Sequence, residues 1–144
     1  MSLFSILSIG ASGMAAQRAR AELLTENLAN AETTRTPQGG PYRRKDVVFA
    51  STEVSSPFAS TFQSALDNPG GVAVDDVITD TRDPEKRYLP GHPDADADGY
   101  VAFPRINPAE DMVDLMGATR GYEANVASIS AAKDMIERSL DLLR

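Results

Sequence analysis

The chain of 144 residues carries 14 Lys plus Arg against 21 Asp plus Glu, one His, no Cys and no Trp, the size of one ordinary domain. Without cysteine there is no disulfide framework, thiolate zinc site or cysteine nucleophile; a formal charge of −7 argues against a nucleic-acid binder, which needs a basic surface to displace phosphate counterions. Hydrophobic residues make up 42% and aromatics only 6%, which predicts narrow aliphatic seams rather than one bulky centre.

Residues 1–9 are apolar, yet the first cation is Arg18, so the stretch does not read as a cleavable secretory signal, and it is too short to cross a bilayer. The expectation is a cytoplasmic chain or one exported without cleavage. From Leu3, the positions Leu3, Leu7, Gly10, Met14, Gln17, Ala21, Leu24, Leu28 and Ala31 alternate steps of four and three. That is a heptad seam, polar only at Gln17, and it predicts a helix over 2–34. Gly10, Ala11, Gly13, Ala15 and Ala16 keep its first half thin. Because glycine inside a helix costs about 1 kcal/mol relative to alanine, the two glycines imply a closely approaching partner.

Residues 35–106 hold eight of the nine prolines, and Gly39-Gly40 and Gly70-Gly71 mark turns. Short strands are expected at 42–49, 71–81, 86–89 and 100–103, with Val72, Val74, Asp76 and Ile78 alternating as in a half-buried strand. The segment reads as a small sheet domain or a pair of hairpins set between helices, with a flexible loop at about 50–68.

The last segment opens with Asn107 as N-cap, Pro108 at the first helical position and Glu110 placed for a capping box. Asp111 and Asp114 then favour the positive end of the helix dipole. Met112, Leu115, Thr119, Tyr122, Val126, Ile129, Lys133, Ile136, Leu140 and Leu143 continue the three-four alternation, predicting a helix over 108–143. The fold class is thus mainly α with a small β insert, the domains being 1–34, 35–106 and 107–144, and the two end helices pairing as an antiparallel coiled coil. A helix of about 33 residues is about 50 Å long, more than the insert can cover. A two-helix seam also leaves Ile6, Ile9, Leu23, Met116, Met135 and Leu142 off the main stripe, so further partners on other subunits are expected.

Charge is uneven: residues 1–45 sum to +3, 46–106 to −7 and 107–144 to −3, which permits attraction between copies or with a related partner. Arg43-Arg44-Lys45 reads as one side of such a contact or as a solvated patch. Asp94-Ala95-Asp96-Ala97-Asp98-Gly99 matches the first half of a calcium loop, but its twelfth position is Arg105 and Pro90, Pro93 and Pro104 forbid flanking helices. A solvated acidic turn is the default there, with weak cation binding as the alternative. His92, the single histidine, has no nucleophile in an elbow context and reads as a turn residue bonded to backbone. Gly39-Gly40 lacks the Lys-Ser/Thr of a phosphate loop. No motif makes an enzyme, and no cofactor or metal is expected.

Four segments in order carry a resemblance. The run Asn27-Leu28-Ala29-Asn30 with Thr33 resembles the signature of the flagellar rod, hook and hook-filament axial proteins. With Gly39-Gly40-Pro41-Tyr42-Arg43-Arg44, Pro90 to Val101, and Arg120-Gly121-Tyr122-Glu123-Ala124-Asn125, the chain is similar to the proximal-rod members of that family. Arg105 stands where the family pattern carries asparagine.

The resemblance implies a structural subunit of the proximal rod of the bacterial flagellar basal body, polymerising into a hollow shaft that transmits motor torque. It implies type III export without a cleaved signal peptide and a place in the periplasmic rod. The implied partners are other rod proteins, copies of the chain itself, and basal-body ring and export-gate proteins at the rod base; no nucleic acid, small-molecule substrate or membrane span is implied. The expected assembly interface comprises Leu3, Leu7, Met14, Leu24, Asn27, Leu28, Asn30, Leu115, Tyr122, Asn125, Val126, Ile129, Ile136 and Leu140, in which Leu24, Leu28, Val126, Ile129, Ile136 and Leu140 carry the seam and the Asn residues and Tyr122 fix its register. The rival reading is a secreted helical-hairpin adaptor or chaperone that forms no polymer.

Overall fold

A computed structural model describes residues 3–52 and 70–141. Helix α1 spans Leu3–Ala29, strand β1 Lys45–Thr52, β2 Gly71–Thr79, β3 Glu85–Tyr88, β4 Tyr100–Phe103 and helix α2 Pro108–Asp141. The two end helices and the strand-rich middle follow the sequence reading. No described helix is long and apolar enough to cross a membrane.

α1 stops at Ala29 rather than at 34: Asn30 N–H still bonds the Glu26 carbonyl, but Ala31 N–H reaches back only to the Leu28 carbonyl and Thr33 N–H to that of Asn30, so tighter three-residue turns replace the α pattern. The Asn30 side chain braces these turns, with Nδ2 donating to the Glu26 carbonyl at 2.9 Å and Oδ1 accepting from the Thr33 hydroxyl at 3.1 Å. The chain then reverses through Gly39 and Gly40, with φ of 91° and 74°, values open to glycine at little cost. At the other end the Asn107 cap is realised: Ala109 N–H donates to Asn107 Oδ1 at 3.2 Å.

The middle contains two separate antiparallel hairpins, β1–β2 and β3–β4. Lys45 pairs with Thr79 and Thr52 with Gly71, but the register slips between Val48 and Phe49, opposite Asp76 and Val74. Asp75 is thereby left unpaired as a bulge. The expected alternation of Val72, Val74, Asp76 and Ile78 fails at that residue, and all four are exposed. Strand ends also move: β1 begins at Lys45 rather than 42 because Tyr42 N–H is bonded to the Thr33 carbonyl, β2 ends at Thr79, and β3 is shifted one residue earlier. Most of the expected loop at 50–68 lies outside the described residues, and 50–52 complete β1.

α1 and α2 run antiparallel, as successive approaches show: Gly10 against Ile129, Gly13 against Asn125, Gln17 against Gly121 and Arg20 against Asp114. A methyl group on Gly10 would stand 2.8 Å from Ile129 Cγ1, and one on Gly13 2.8 Å from Asn125 Oδ1. The glycines therefore set the closeness of the backbones, as the sequence implied. The apolar core among the described residues is thin: Ala16, Leu24, Ala118 and Ala132 between the helices, with Val101 and Phe103 under the second hairpin.

Candidate assembly surfaces

The helix pair has an inner and an outer apolar stripe on α2, and they are different residues. Inside lie Asp111, Ala118, Asn125 and Ala132, spaced by sevens, with Ile129 and Ile136 half-buried beside them. The close backbone approach at Gly10 and Gly13 admits only small or slender groups opposite. Much of the larger stripe singled out from the sequence is displaced outward: Met112, Tyr122, Val126 and Leu140 are exposed, Tyr122 at 41%, Val126 at 42% and Leu140 at 60%.

The remaining expected residues divide likewise. Leu24 is buried, Asn27 is completely enclosed, and Leu7, Met14, Leu28, Asn30, Leu115 and Asn125 are half-buried. Asn125 is held by Nδ2 donating to the Gly121 carbonyl at 2.8 Å and stands against Gly13. The Leu3 side chain and residues Leu142 and Leu143 lie outside the described residues.

Asn27 has a different task from the expected one of registering helix against helix. Its Oδ1 accepts from Lys45 N–H and from the Tyr42 hydroxyl, both at 3.0 Å, and its Nδ2 donates to the Lys45 carbonyl at 2.8 Å. The amide thus pairs with both backbone groups of the first residue of β1, as a neighbouring strand would. It clips the strand insert onto α1.

Around that clip the basic cluster is consumed within the chain. Lys45 Nζ sits 2.6 Å from Glu26, Arg43 donates to the carbonyls of Asp80 and Arg82, and Arg44 Nη2 lies 3.1 Å from Asp111 Oδ1 and 3.4 Å from Asp46. Of the expected alternatives, a wholly solvated patch does not fit the half-buried Arg44 and Lys45, whereas Arg43 stays exposed. Burial pushes the Asp111 carboxyl up, with Arg44 opposing and Asp46, Asp114 and Glu110 reinforcing the rise. The Arg44 approach is misaligned for hydrogen bonding, which leaves both Asp111 oxygens and Arg44 Nε without hydrogen-bond partners. Burial, then Glu26, pushes the Tyr42 hydroxyl up to about 12.

The acidic turn is spent similarly. Asp94 accepts from the Thr34 hydroxyl at 2.8 Å and lies 3.7 Å from Arg35; Asp96 Oδ1 accepts from the N–H groups of Asp98 and Tyr100. Among the described residues no group of three or more His, Cys, Asp or Glu is arranged to hold a metal ion. His92 Nδ1 accepts from Asp94 N–H at 3.1 Å, the turn role read from the sequence.

Sequence reasoning missed the enclosed Asp111 and its partner Arg44. The available signal was the seven-residue recurrence of Asp111, Ala118, Asn125 and Ala132, a line of small or polar residues overshadowed by the bulkier stripe beside it.

A family model described as "Flagellar basal body rod FlgEFG protein C-terminal" matches residues 97–142. The "Flagellar basal-body rod protein FlgC" of Borreliella burgdorferi is 39% identical over 152 aligned positions, covering 100% of this chain and 99% of the relative. The protein of the same name from Bacillus subtilis is 40% identical, with 99% of each chain covered. That of Salmonella typhimurium is also 40% identical, over 99% of this chain and 98% of its own length.

Proposed function

The chain belongs to the family of flagellar basal-body rod proteins named FlgC, and from that membership we propose that it is a subunit of the proximal rod, polymerising into the hollow shaft that transmits motor torque. It is a structural rod protein of the flagellar basal body. One observation supports polymerisation in particular: the heptad-spaced residues Met112, Tyr122, Val126 and Leu140, with Met116, stay exposed after α1 has docked. Large apolar side chains left exposed along one helix are the kind of surface that a partner covers.

In this reading the helices pair as a coiled coil inside the rod, the segment 35–106 is a separate domain stacked outside it, and other rod proteins and copies of the chain supply the missing cover. A helix pair with so thin a core buries too little to offset chain entropy of about 1–2 kcal/mol per residue. Folding of the ends is therefore coupled to docking, which suits a subunit exported through the type III apparatus, unprocessed, to a periplasmic rod whose base meets ring and export-gate proteins. The test is Leu28→Asp and Ile136→Asp in flagellated cells: export of the chain persists, whereas rods and swimming are lost. Normal swimming in both variants would refute the reading.

A further inference from the structure

At the base of the first hairpin three pieces of chain converge: the run 42–44 before β1, the turn 80–84 after β2, and Pro104-Arg105 after β4. Asp80 N–H donates to the Arg44 carbonyl at 2.8 Å, and Arg43 Nη1 donates to the carbonyls of Asp80 and Arg82 at 3.0 and 3.3 Å, so the first two pieces are fixed to each other. Between them and Pro104 lies a cleft of about 20 Å³, room for one water-sized polar group. Arg43, Arg44, Arg82 and Arg105 line it against the single carboxylate of Asp80.

The charges do not cancel. Asp80 is spent on the Arg82 guanidinium at 2.6 to 2.9 Å, and Arg44 is paired with Asp111 and Asp46. Arg43 and Arg105 are exposed, and neither makes an ion pair among the described residues; Asp83, in the same turn, does not line the cleft. Arg44 adds an enclosed Nε with no hydrogen-bond partner. Guanidinium groups without a carboxylate, beside an unanswered N–H, suit a carboxylate from elsewhere, because the arginine fork matches its two oxygens.

A larger groove adjoins the cleft. Pro41, Tyr42 and Arg43 line both, and Thr33, Arg35, Gln38 and Lys45 also line the groove, which measures about 710 Å³, within the range of ligand sites. Its loop wall is held by turn bonds from Thr36 N–H to the Gly40 carbonyl at 2.8 Å and from Gly39 N–H to the Thr36 carbonyl at 2.9 Å, with Pro37 and Pro41 restricting the backbone. A wall formed in advance lowers the cost of binding. Among the described residues this chain offers no free acidic segment to fill it: Asp94 and Asp96 are bonded within the chain, Asp111 is enclosed, and Asp75 and Asp76 belong to β2.

We propose that the groove and cleft together bind an extended acidic segment of a different protein of the basal body, one carboxylate of which enters the cleft between Arg43 and Arg105. Arginine clusters recognise acidic motifs in this way. The site is separate from the exposed stripe of α2, and it rests on the rod-subunit reading for the place where the partner is met.

The test uses the full chain in intact basal bodies. Arg105→Lys keeps the charge and supplies an amine that a water-soluble carbodiimide couples to a carboxylate in contact with it. The expected product is an amide from that amine to an Asp or Glu in an acidic stretch of a different protein, lost in Arg105→Gln. No amide, or one to Asp80 alone, would overturn the site while leaving the rod reading intact, and an amide to a second copy of this chain would overturn the choice of partner. Should Arg105→Lys prevent rods from forming, phenylglyoxal on the natural chain decides: Arg105 is expected to lose most of its reactivity in basal bodies relative to the free chain, and equal rates sink the proposal. A chain absent from purified basal bodies in its natural form would sink the rod reading itself.

Discussion

α1 and α2 share a three-four periodicity but distribute bulk differently around their axes. α1 turns Gly10, Gly13, Ala16 and Leu24 inward and presents small or polar groups to the outside. α2 also turns small groups inward, at Ala118 and Ala132, yet keeps Met112, Met116, Tyr122, Val126 and Leu140 exposed. α1 is nearly finished by its own chain, whereas α2 is finished on one side only. Where a helix places its volume therefore separates what folds the subunit from what joins subunits, a distinction that periodicity alone does not make.

The comparison breaks most severely at the joint where Asp111 of α2 meets Arg44, the residue before β1. Arg44→Met leaves Asp111 enclosed without its cation, and loss of one partner of a buried pair costs about 3–5 kcal/mol. Adding Asp111→Leu should recover most of that loss, because an apolar pair of similar volume is often neutral or better. Urea midpoints of rods built from each variant check the order; an uncorrected loss in the double variant would show that the pair contributes more than mutual neutralisation.

Gly13→Leu should come next. Its side chain would enter the space held by Asn125, whose Oδ1 stands 2.8 Å from a Cβ at that position, and overpacking costs about 1–3 kcal/mol. Asn27→Ala should follow closely: the Lys45 N–H and carbonyl lose their partner, a fully buried orphan costs about 1–3 kcal/mol, and at the half-buried Lys45 water offsets part of that. Hydrogen exchange at Lys45 reads this directly: it should accelerate in Asn27→Ala while exchange at mid-α1 amides changes little.

The smallest effect is one of pH. Asp111 titrates above the ordinary carboxylate value when folded, so its contribution favours the fold below the unfolded pKa and is lost as pH rises through the folded one. Acidification from neutrality should thus stabilise the fold around Asp111, and Asp111→Asn should flatten that limb. Asp80 acts oppositely: hydrogen bonds from Arg82 hold it at about 2, so its support is present above the unfolded pKa and fades only as pH falls through about 2. Urea midpoints between pH 7 and 4 separate the two; a midpoint unmoved by Asp111→Asn would contradict the enclosed carboxylate.

The helices were legible because Asn107-Pro108 and the heptads are local signals, and the small residues of α1 correctly announced a close neighbour. The end of α1 was not, because Asn30 reads as one more helical position until the three-residue turn bonds of Ala31 and Thr33 are seen. The bulge at Asp75 depends on pairing across a hairpin, and the Arg44–Asp111 contact joins residues far apart in sequence. Periodicity found an apolar stripe on α2 without dividing it: Ile129 and Ile136 are half-buried, whereas Tyr122, Val126 and Leu140 stay exposed, since spacing reports that a face is apolar and not what covers it.

The decisive measurement is the labelling rate of Val126→Cys, in a chain otherwise free of cysteine, by a water-soluble maleimide before and after incorporation into the rod. Rapid labelling of the free subunit and strong protection in the rod are what an outer face of α2 covered by neighbours predicts. Equal labelling in both states would mean that this face stays in water, and that the shaft is held together by other surfaces.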